Sequence, residues 1–307
     1  MSPTTPPRTI DVLHQGHEQA IAVAVLELDD GLALVDPGPA ATLPALRAGL
    51  AVLGASLADV RALLLTHIHL DHAGATGVLV REHPDLEVFV HALGAPHLVD
   101  PSRLLASARR LYGERMDALW GEVAPVPEAS VTTLAGGETL ELPGRRLAVL
   151  DTPGHAYHHV SYLDEASGTA FVGDTAGLRV AGGPVVLPLA PPPDFDLDLW
   201  RRSLAAIRAW RPTRLFVTHF GEAPGPERHL AVLEDALVAW TDAVRRTLEG
   251  EGDDEARAAR FVAGVEAELR RRAAPADVVR FLREGGVHAS WVGIARFLRR
   301  TEPAGAR

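Results

Sequence analysis

The chain has 307 residues, of which 47% are hydrophobic and 23% charged, and 30 Lys+Arg against 40 Asp+Glu give a formal charge of −10. The length accommodates one large domain or a domain with an appendage, and the negative field repels phosphate backbones, which speaks against a nucleic-acid partner. There is no cysteine, which excludes disulfides, a thiolate nucleophile and a Cys-held metal, so any metal must be held by His and carboxylates.

Residues 1–8 are polar and Pro-rich, without the apolar core of a signal peptide, and no later stretch is long enough to span a bilayer. The expected compartment is the cytoplasm, with no membrane partner. Residues 21–28 and 32–35 are apolar, β-branched runs joined by Asp29-Asp30-Gly31, the pattern of a hairpin. Residues 42–53 have helical spacing, 61–65 read as a short buried strand, and 73–82 as a helix stopped before Pro84. A strand at 86–90 precedes a helical stretch at 101–120. Strands follow near 138–142, 147–151, 160–163 and 170–172. The Pro-rich 184–193 reads as an extended loop, 198–210 as a helix and 214–217 as one more buried strand. From 226 the pattern is helical to the end, interrupted at 250–254, and the Arg runs at 270–272 and 299–300 read as solvated helix faces. This order suggests helices outside a pair of stacked sheets over residues 1–225, with 226–307 a helical cap or small second domain.

Histidine usage is uneven. Of 14 histidines, His67, His69 and His72 fall within six residues, and His155, His158 and His159 within five. Neighbouring imidazoles repel when protonated, so such clusters call for a reason. His14, His17, His83, His229 and His288 read as ordinary surface or satisfied core residues. Four strand ends carry metal-ligand residue types: Thr66-His67, Thr152-Pro153-Gly154-His155, Gly173-Asp174 and Thr218-His219. A sheet holds such ends to the tolerance a metal needs. His67 and His69, two apart on a turn, can close on one ion, while Asp71 and His72 are spaced to turn toward a neighbouring ion. The alternative is a polar loop whose histidines cap the following helix. Imidazole and carboxylate donors suit Zn²⁺, and also Fe²⁺ or Mn²⁺.

The HxHxDH string at 67–72, followed in order by the Gly-His, Gly-Asp and Thr-His strand ends and preceded by Asp36-Pro37-Gly38, resembles the metallo-β-lactamase superfamily over residues 10–225. The resemblance implies an α+β fold, a four-layer αββα sandwich, with the helical C-terminal extension added. It implies two divalent ions: one held by His67, His69 and His155, the other by Asp71, His72 and His219, with Asp174 bridging. Asp36 would accept hydrogen bonds beneath the ions, although a simple turn residue before Pro-Gly is an equal reading. The reaction so implied is hydrolysis by a hydroxide bridging the two ions, with Asp71 and Asp174 as catalytic carboxylates.

Lack of cysteine and presence of Asp174 point away from β-lactam cleavage, which stays a minor alternative. The ligand set is closer to glyoxalase II, lactonases and phosphodiesterases, so the expected bond is an ester, thioester, lactone or phosphodiester. Residues 226–302 show no specific glutathione-binding signature. A persulfide dioxygenase-like oxidoreductase with a single iron remains the alternative from another class, and a silent binding protein is a third. For the small-molecule substrate, His158, Tyr157 and Arg179 are candidate contacts, each with an equally ordinary packing or surface reading. Of His158 and His159, one is expected to face the cleft and its neighbour to point away. The stretch 91–101, with His91 and His97, reads as a wall or lid near the cleft without ligands, and 184–193 and 101–120 are expected to wall the pocket with Leu, Val and Pro. A homo-oligomer is compatible with the sequence.

Overall fold

Apolar runs with both faces buried build the centre of the first sheet. In the computed structural model, which describes residues 5–180 and 182–302, its strands are β1 (Arg8–Asp11), β2 (Ala22–Leu28), β3 (Gly31–Val35), β4 (Val60–Leu64), β5 (Glu87–His91) and β6 (Val131–Leu134), adjacent in that order. The Pro-rich start at residues 1–4 lies outside the described residues. β1 to β3 pair antiparallel, and β3 to β6 pair parallel. The chain then forms β7 (Thr139–Leu142), β8 (Arg145–Asp151), β9 (Val160–Asp164), β10 (Thr169–Phe171), a two-stranded ribbon of β11 (Leu178–Arg179) and β12 (Val186–Leu187), β13 (Arg214–Val217) and β14 (Gly221–Ala223). The second sheet has the order β14-β13-β10-β9-β8-β7.

Alternation sorts the side chains into layers. Ala22, Ala24 and Leu26 of β2 and Ala62 and Leu64 of β4 face Leu147, Val149, Tyr162, Phe171 and Phe216 of the second sheet. Val23, Val25 and Leu63 point to the opposite side, where α1 (Leu43–Val52), α2 (Leu70–Ala73) and α3 (Thr76–Glu82) lie, and pack with Leu46, Leu50, Val78 and Leu79. The outer face of the second sheet, Ala170, Leu215 and Val217, packs under Trp200, Leu204 and Ile207 of the later helix. This is the four-layer αββα sandwich. Strands covered on both faces read as continuous apolar runs, and those runs gave the strands away in the sequence.

Three short helices, α4 (Ala95–Val99), α5 (Ser102–Tyr112) and α6 (Met116–Trp120), follow β5. They close a small cluster of their own around Leu70, Ala108, Met116 and Trp120. Gly113, at φ +55°, ends α5, so the expected single stretch over 101–120 is two helices. The helix α7 (Leu197–Ala209) starts where the Asp196 side chain accepts the Leu199 amide. Four more helices follow among the described residues: α8 (Pro226–Glu249), α9 (Asp254–Arg272), α10 (Pro275–Glu284) and α11 (Val287–Thr301). They share one apolar cluster with the second sheet, in which Leu230, Leu233, Phe261, Phe281, Trp291 and Ile294 are buried. Besides the two-residue β11 and β12, three strands, β1, β6 and β14, were not read from the sequence. They are edge strands of three or four residues with one or two buried side chains each, so they carry almost no apolar signal.

Candidate metal centre

Four strands deliver the candidate ligands: β4 leads to His67, β8 to His155, β10 to Asp174 and β13 to His219. The turn after β4 supplies His69, and α2 places Asp71 and His72 on its first turn. Two glycines let the chain come close. Gly154 lies at φ +138°, and a Cβ there would sit 2.4 Å from Trp200 Cα. Gly173, at φ +41°, would place a Cβ 2.5 Å from Thr66 Oγ1.

The histidine tautomers follow from their neighbours. His155 Nδ1 donates to the Leu189 carbonyl at 2.6 Å and His219 Nδ1 to the Ala20 carbonyl at 2.7 Å. His72 Nδ1 donates to Asp36 Oδ2 at 2.8 Å. Thr66 Oγ1 donates to Asp36 Oδ2, so it accepts from His67 Nδ1 at 3.1 Å. When these four rings are neutral the Nε2 lone pair of each faces the site, the outer arrangement that orients histidine ligands. Asp36 is fully buried and also accepts the Thr66 amide at 2.8 Å and the Thr218 hydroxyl at 2.7 Å.

Two donor groups result. His67 Nε2 and His155 Nε2 lie 2.9 and 3.0 Å from His69 Nδ1, and with Asp174 they form one set. Asp71, His72 and His219 form the other, with Asp71 Oδ2 at 3.3 Å from His219 Nε2. Asp174 stands between them. Its Oδ2 is 3.4 Å from His155 Nε2 and 3.9 Å from His67 Nε2, while its Oδ1 is 3.2 Å from His72 Nε2 and 3.5 Å from His219 Nε2.

These residues fit the binding of divalent cations. His72 Nε2 and Asp174 Oδ1 are buried and close, yet their alignment makes no hydrogen bond, so both atoms are orphaned in the interior. A cation held by these residues would satisfy both atoms. Donors at about 2.1 Å from a tetrahedral ion lie about 3.4 Å apart, which the observed spacings bracket.

The electrostatics sort the same way. Burial, then repulsion from His72, holds His67 well below the usual imidazole range. Burial with repulsion from His155 pushes His69 down to about 3, and burial lowers His155. Burial would also lower His72, but the carboxylates of Asp174, Asp36 and Asp71 raise it well above its ordinary value, and Asp174 and Asp71 raise His219. Burial would raise Asp174, yet His72, His155 and His219 hold it well below the carboxylate range. The interior thus concentrates negative charge around His72 and His219, an environment that favours a cation.

The structure brings together all seven expected ligand residues and puts Asp36 in hydrogen-bond contact with one of them, His72. It separates the substrate candidates. His158 lines a cleft of about 460 Å³ that also exposes His69, Asp71, His155, Asp174 and His219. His159 points away from it, fully buried, its ring 5.0 Å from that of His67. Tyr157 does not line the cleft, and its hydroxyl is 3.5 Å from Arg300 on α11. Arg179 does not line it either: its guanidinium donates to the Glu222 carbonyl at 2.6 Å, because β11 turns its buried side chain toward β14. The cleft walls come from Leu104, Ala108, Leu111 and Tyr112 of α5, from Leu189 and Pro191–Pro193, and from Glu284, Gly285, Gly286, Ala289 and Ser290 where α10 meets α11. His97 and Arg103 line it as well. The roles of Thr66 and Thr218 were missed, although both stand next to a ligand in the two Thr-His strand ends.

A family model described as Metallo-beta-lactamase superfamily matches residues 18–219. The chain is similar to a metallo-beta-lactamase fold-containing protein of Sulfurisphaera tokodaii, 30% identical over 162 residues, which covers 52% of this chain and 60% of that protein. It is similar to a hydroxyacylglutathione hydrolase of a Synechococcus species, 33% identical over 180 residues, covering 58% of this chain and 56% of the relative. The chain therefore aligns with less than two thirds of either protein. Among solved structures, a metallo-beta-lactamase family protein from Thermus thermophilus superposes with a TM-score of 0.67 at 26% identity, covering 91% of this chain and 88% of that one.

Proposed function

The chain belongs to the metallo-β-lactamase superfamily, and we propose that it is a hydrolase with two divalent ions that cleaves an ester, thioester, lactone or phosphodiester bond of a small molecule. The observation that carries this reading is Asp174, one carboxylate with an oxygen toward each histidine group. His67, His69 and His155 would hold one ion, and Asp71, His72 and His219 the other. Zn²⁺ suits these donors, and Fe²⁺ or Mn²⁺ are accommodated by them. Bound there, the ions would make a water acidic near neutral pH and polarise the scissile carbonyl or phosphoryl oxygen.

The chain's own groups do the rest. Asp71 borders the cleft and keeps a partly exposed carboxylate, able to accept a proton from the attacking water. Asp36 holds His72 in one orientation, and the Leu189 and Ala20 carbonyls hold His155 and His219. The apolar side chains of α5 and the prolines after Leu189 exclude water from one side and offer contact to an uncharged substrate group. A thioester is the first bond to assay, given the hydroxyacylglutathione hydrolase among the relatives. The test is a panel of thioesters, lactones, phosphodiesters and β-lactams, assayed with Zn²⁺, Mn²⁺ and Fe²⁺. Turnover of one of the first three classes supports the reading. Oxygen uptake with a persulfide and no hydrolysis of any class would replace it with the single-iron oxidation reaction.

A further inference from the structure

The helical region has a second cavity, remote in sequence from the seven metal-centre residues. It measures about 540 Å³ and lies between α8, α9 and β12. Its floor is apolar and buried: Leu187, Trp240, Phe261, Val265 and Leu269, with the Trp240 and Phe261 rings edge to face at 5.3 Å. Helix α9 leaves the space open at Gly264, where an added Cβ would meet no atom within 4 Å. A volume of this size falls within the range that holds small ligands, roughly 300–1,000 Å³.

The rim carries the opposite character. Arg246, Arg260, Arg271 and Arg272 line it against Glu268 alone, in a chain whose formal charge is −10. Arg271 and Arg272 both pair with Glu268, and Arg260 donates to the Glu251 carbonyl at 2.5 Å. Arg246 has no ion-pair or hydrogen-bond partner among the described residues and is exposed. Guanidinium groups crowded on one rim repel one another unless an anion joins them, and a carboxylate matches their paired donors.

An apolar floor under a cationic rim calls for a ligand with the complementary halves. We propose that this cavity binds a free, unbranched long-chain carboxylate, its chain over Trp240 and Phe261 and its head group at Arg246 and Arg260. This site is independent of the proposed hydrolysis. The rim sets the sign of the ligand's charge, and the floor makes affinity grow with chain length, by about fourfold per buried methylene.

The test is calorimetric titration of decanoate and dodecanoate, below their micelle concentrations, into the full-length zinc-loaded protein. The expected result is binding that tightens by about tenfold or more from decanoate to dodecanoate and fails for dodecyltrimethylammonium. Gly264→Trp, which fills the cavity, abolishes it, and Gly264→Ala keeps it. Arg246→Glu weakens it about tenfold and decides the question should Gly264→Trp not fold, since Arg246 is exposed. Leu111→Asp, in the metal-centre cleft, leaves it intact. The proposal is overturned by no binding, by equal binding of the cationic amphiphile, or by binding lost in Leu111→Asp and kept in Gly264→Trp. A dimer that Gly264→Trp dissociates would likewise overturn it, assigning the cavity to a second copy of the chain.

Discussion

The hydroxyl of Thr218 donates to Oδ2 of Asp36 at 2.7 Å, between residues 182 positions apart in the chain. Thr218 follows β13 of one sheet and Asp36 follows β3 of the other, so this bond ties the two sheets together beside His72. Thr66, at the end of β4, puts its hydroxyl on the same oxygen. Both Thr-His strand ends are thus fixed to one buried carboxylate, and two candidate ligands from different sheets, His67 and His219, inherit a common reference point.

Asp36→Asn tests that arrangement. An amide nitrogen cannot accept from His72, Thr66 or Thr218, so buried donors lose their acceptor. Stability in urea is expected to fall by about 2–4 kcal/mol, and metal affinity in a chelator competition by about 10–100-fold. Unchanged affinity would reduce Asp36 to the turn residue that its Asp-Pro-Gly sequence also suggests.

Gly154→Ala probes how His155 is placed. The new Cβ would overlap Trp200, whose indole is fully buried and donates to the Thr175 carbonyl at 2.7 Å. Either α7 or the loop carrying His155 must shift, and a loss of about 2–3 kcal/mol together with weaker metal binding is expected. Thermal unfolding of the metal-free and zinc-loaded forms separates the two effects. A variant as stable and as metal-avid as the parent would show that the loop is not packed as tightly as described.

These cases mark what the sequence could and could not convey. The candidate positions His67, His155, Asp174 and His219 were legible because each follows the end of an apolar run, and strand ends converge whatever loop lengths intervene. Hydrogen-bond partners were not, since Ala20 and Leu189 contribute only backbone carbonyls, which no residue type signals. Arg179 looked like a substrate contact because it follows Asp174 closely. Yet β11 turns it to the Glu222 carbonyl, a direction set by tertiary pairing rather than local sequence. His158 and His159 separated as alternation along the strand entry requires. The α5 wall of the cleft was anticipated as a helix, but its break at Gly113 was not.

Leu111 reports on that wall. It is 60% exposed, an apolar side chain left facing the cleft rather than packed in a core. Leu111→Asp is expected to lower kcat/KM for apolar-acyl esters about tenfold, chiefly through KM. Steady-state kinetics on a short and a long acyl ester check this. An equal effect on both would place Leu111 outside the binding surface.

His229 supplies a pH effect separate from the metal centre. Burial holds its imidazole down to about 4, against the hydrogen bond it gives the Ala176 carbonyl and with Arg179 nearby. The unfolded chain takes up this proton near pH 6.5, so between about 6.5 and 4 the unfolded state binds more protons and stability falls as pH falls. The contribution is fully present above pH 6.5, and on the order of 3 kcal/mol is lost across that window. Urea midpoints at pH 7.5 and 4.5 should differ less in His229→Gln than in the parent. Equal differences would show that His229 titrates normally in the folded state.

Metal content read together with turnover bears most directly on the two-ion centre. Protein purified without added metal, analysed by inductively coupled plasma mass spectrometry and assayed with and without oxygen, is expected to hold two divalent ions per chain. It should hydrolyse its substrate equally well in both atmospheres, and Asp174→Ala should remain folded, hold fewer ions and lose turnover. One iron per chain with oxygen consumed during turnover, or full activity in Asp174→Ala, would contradict the bridged centre.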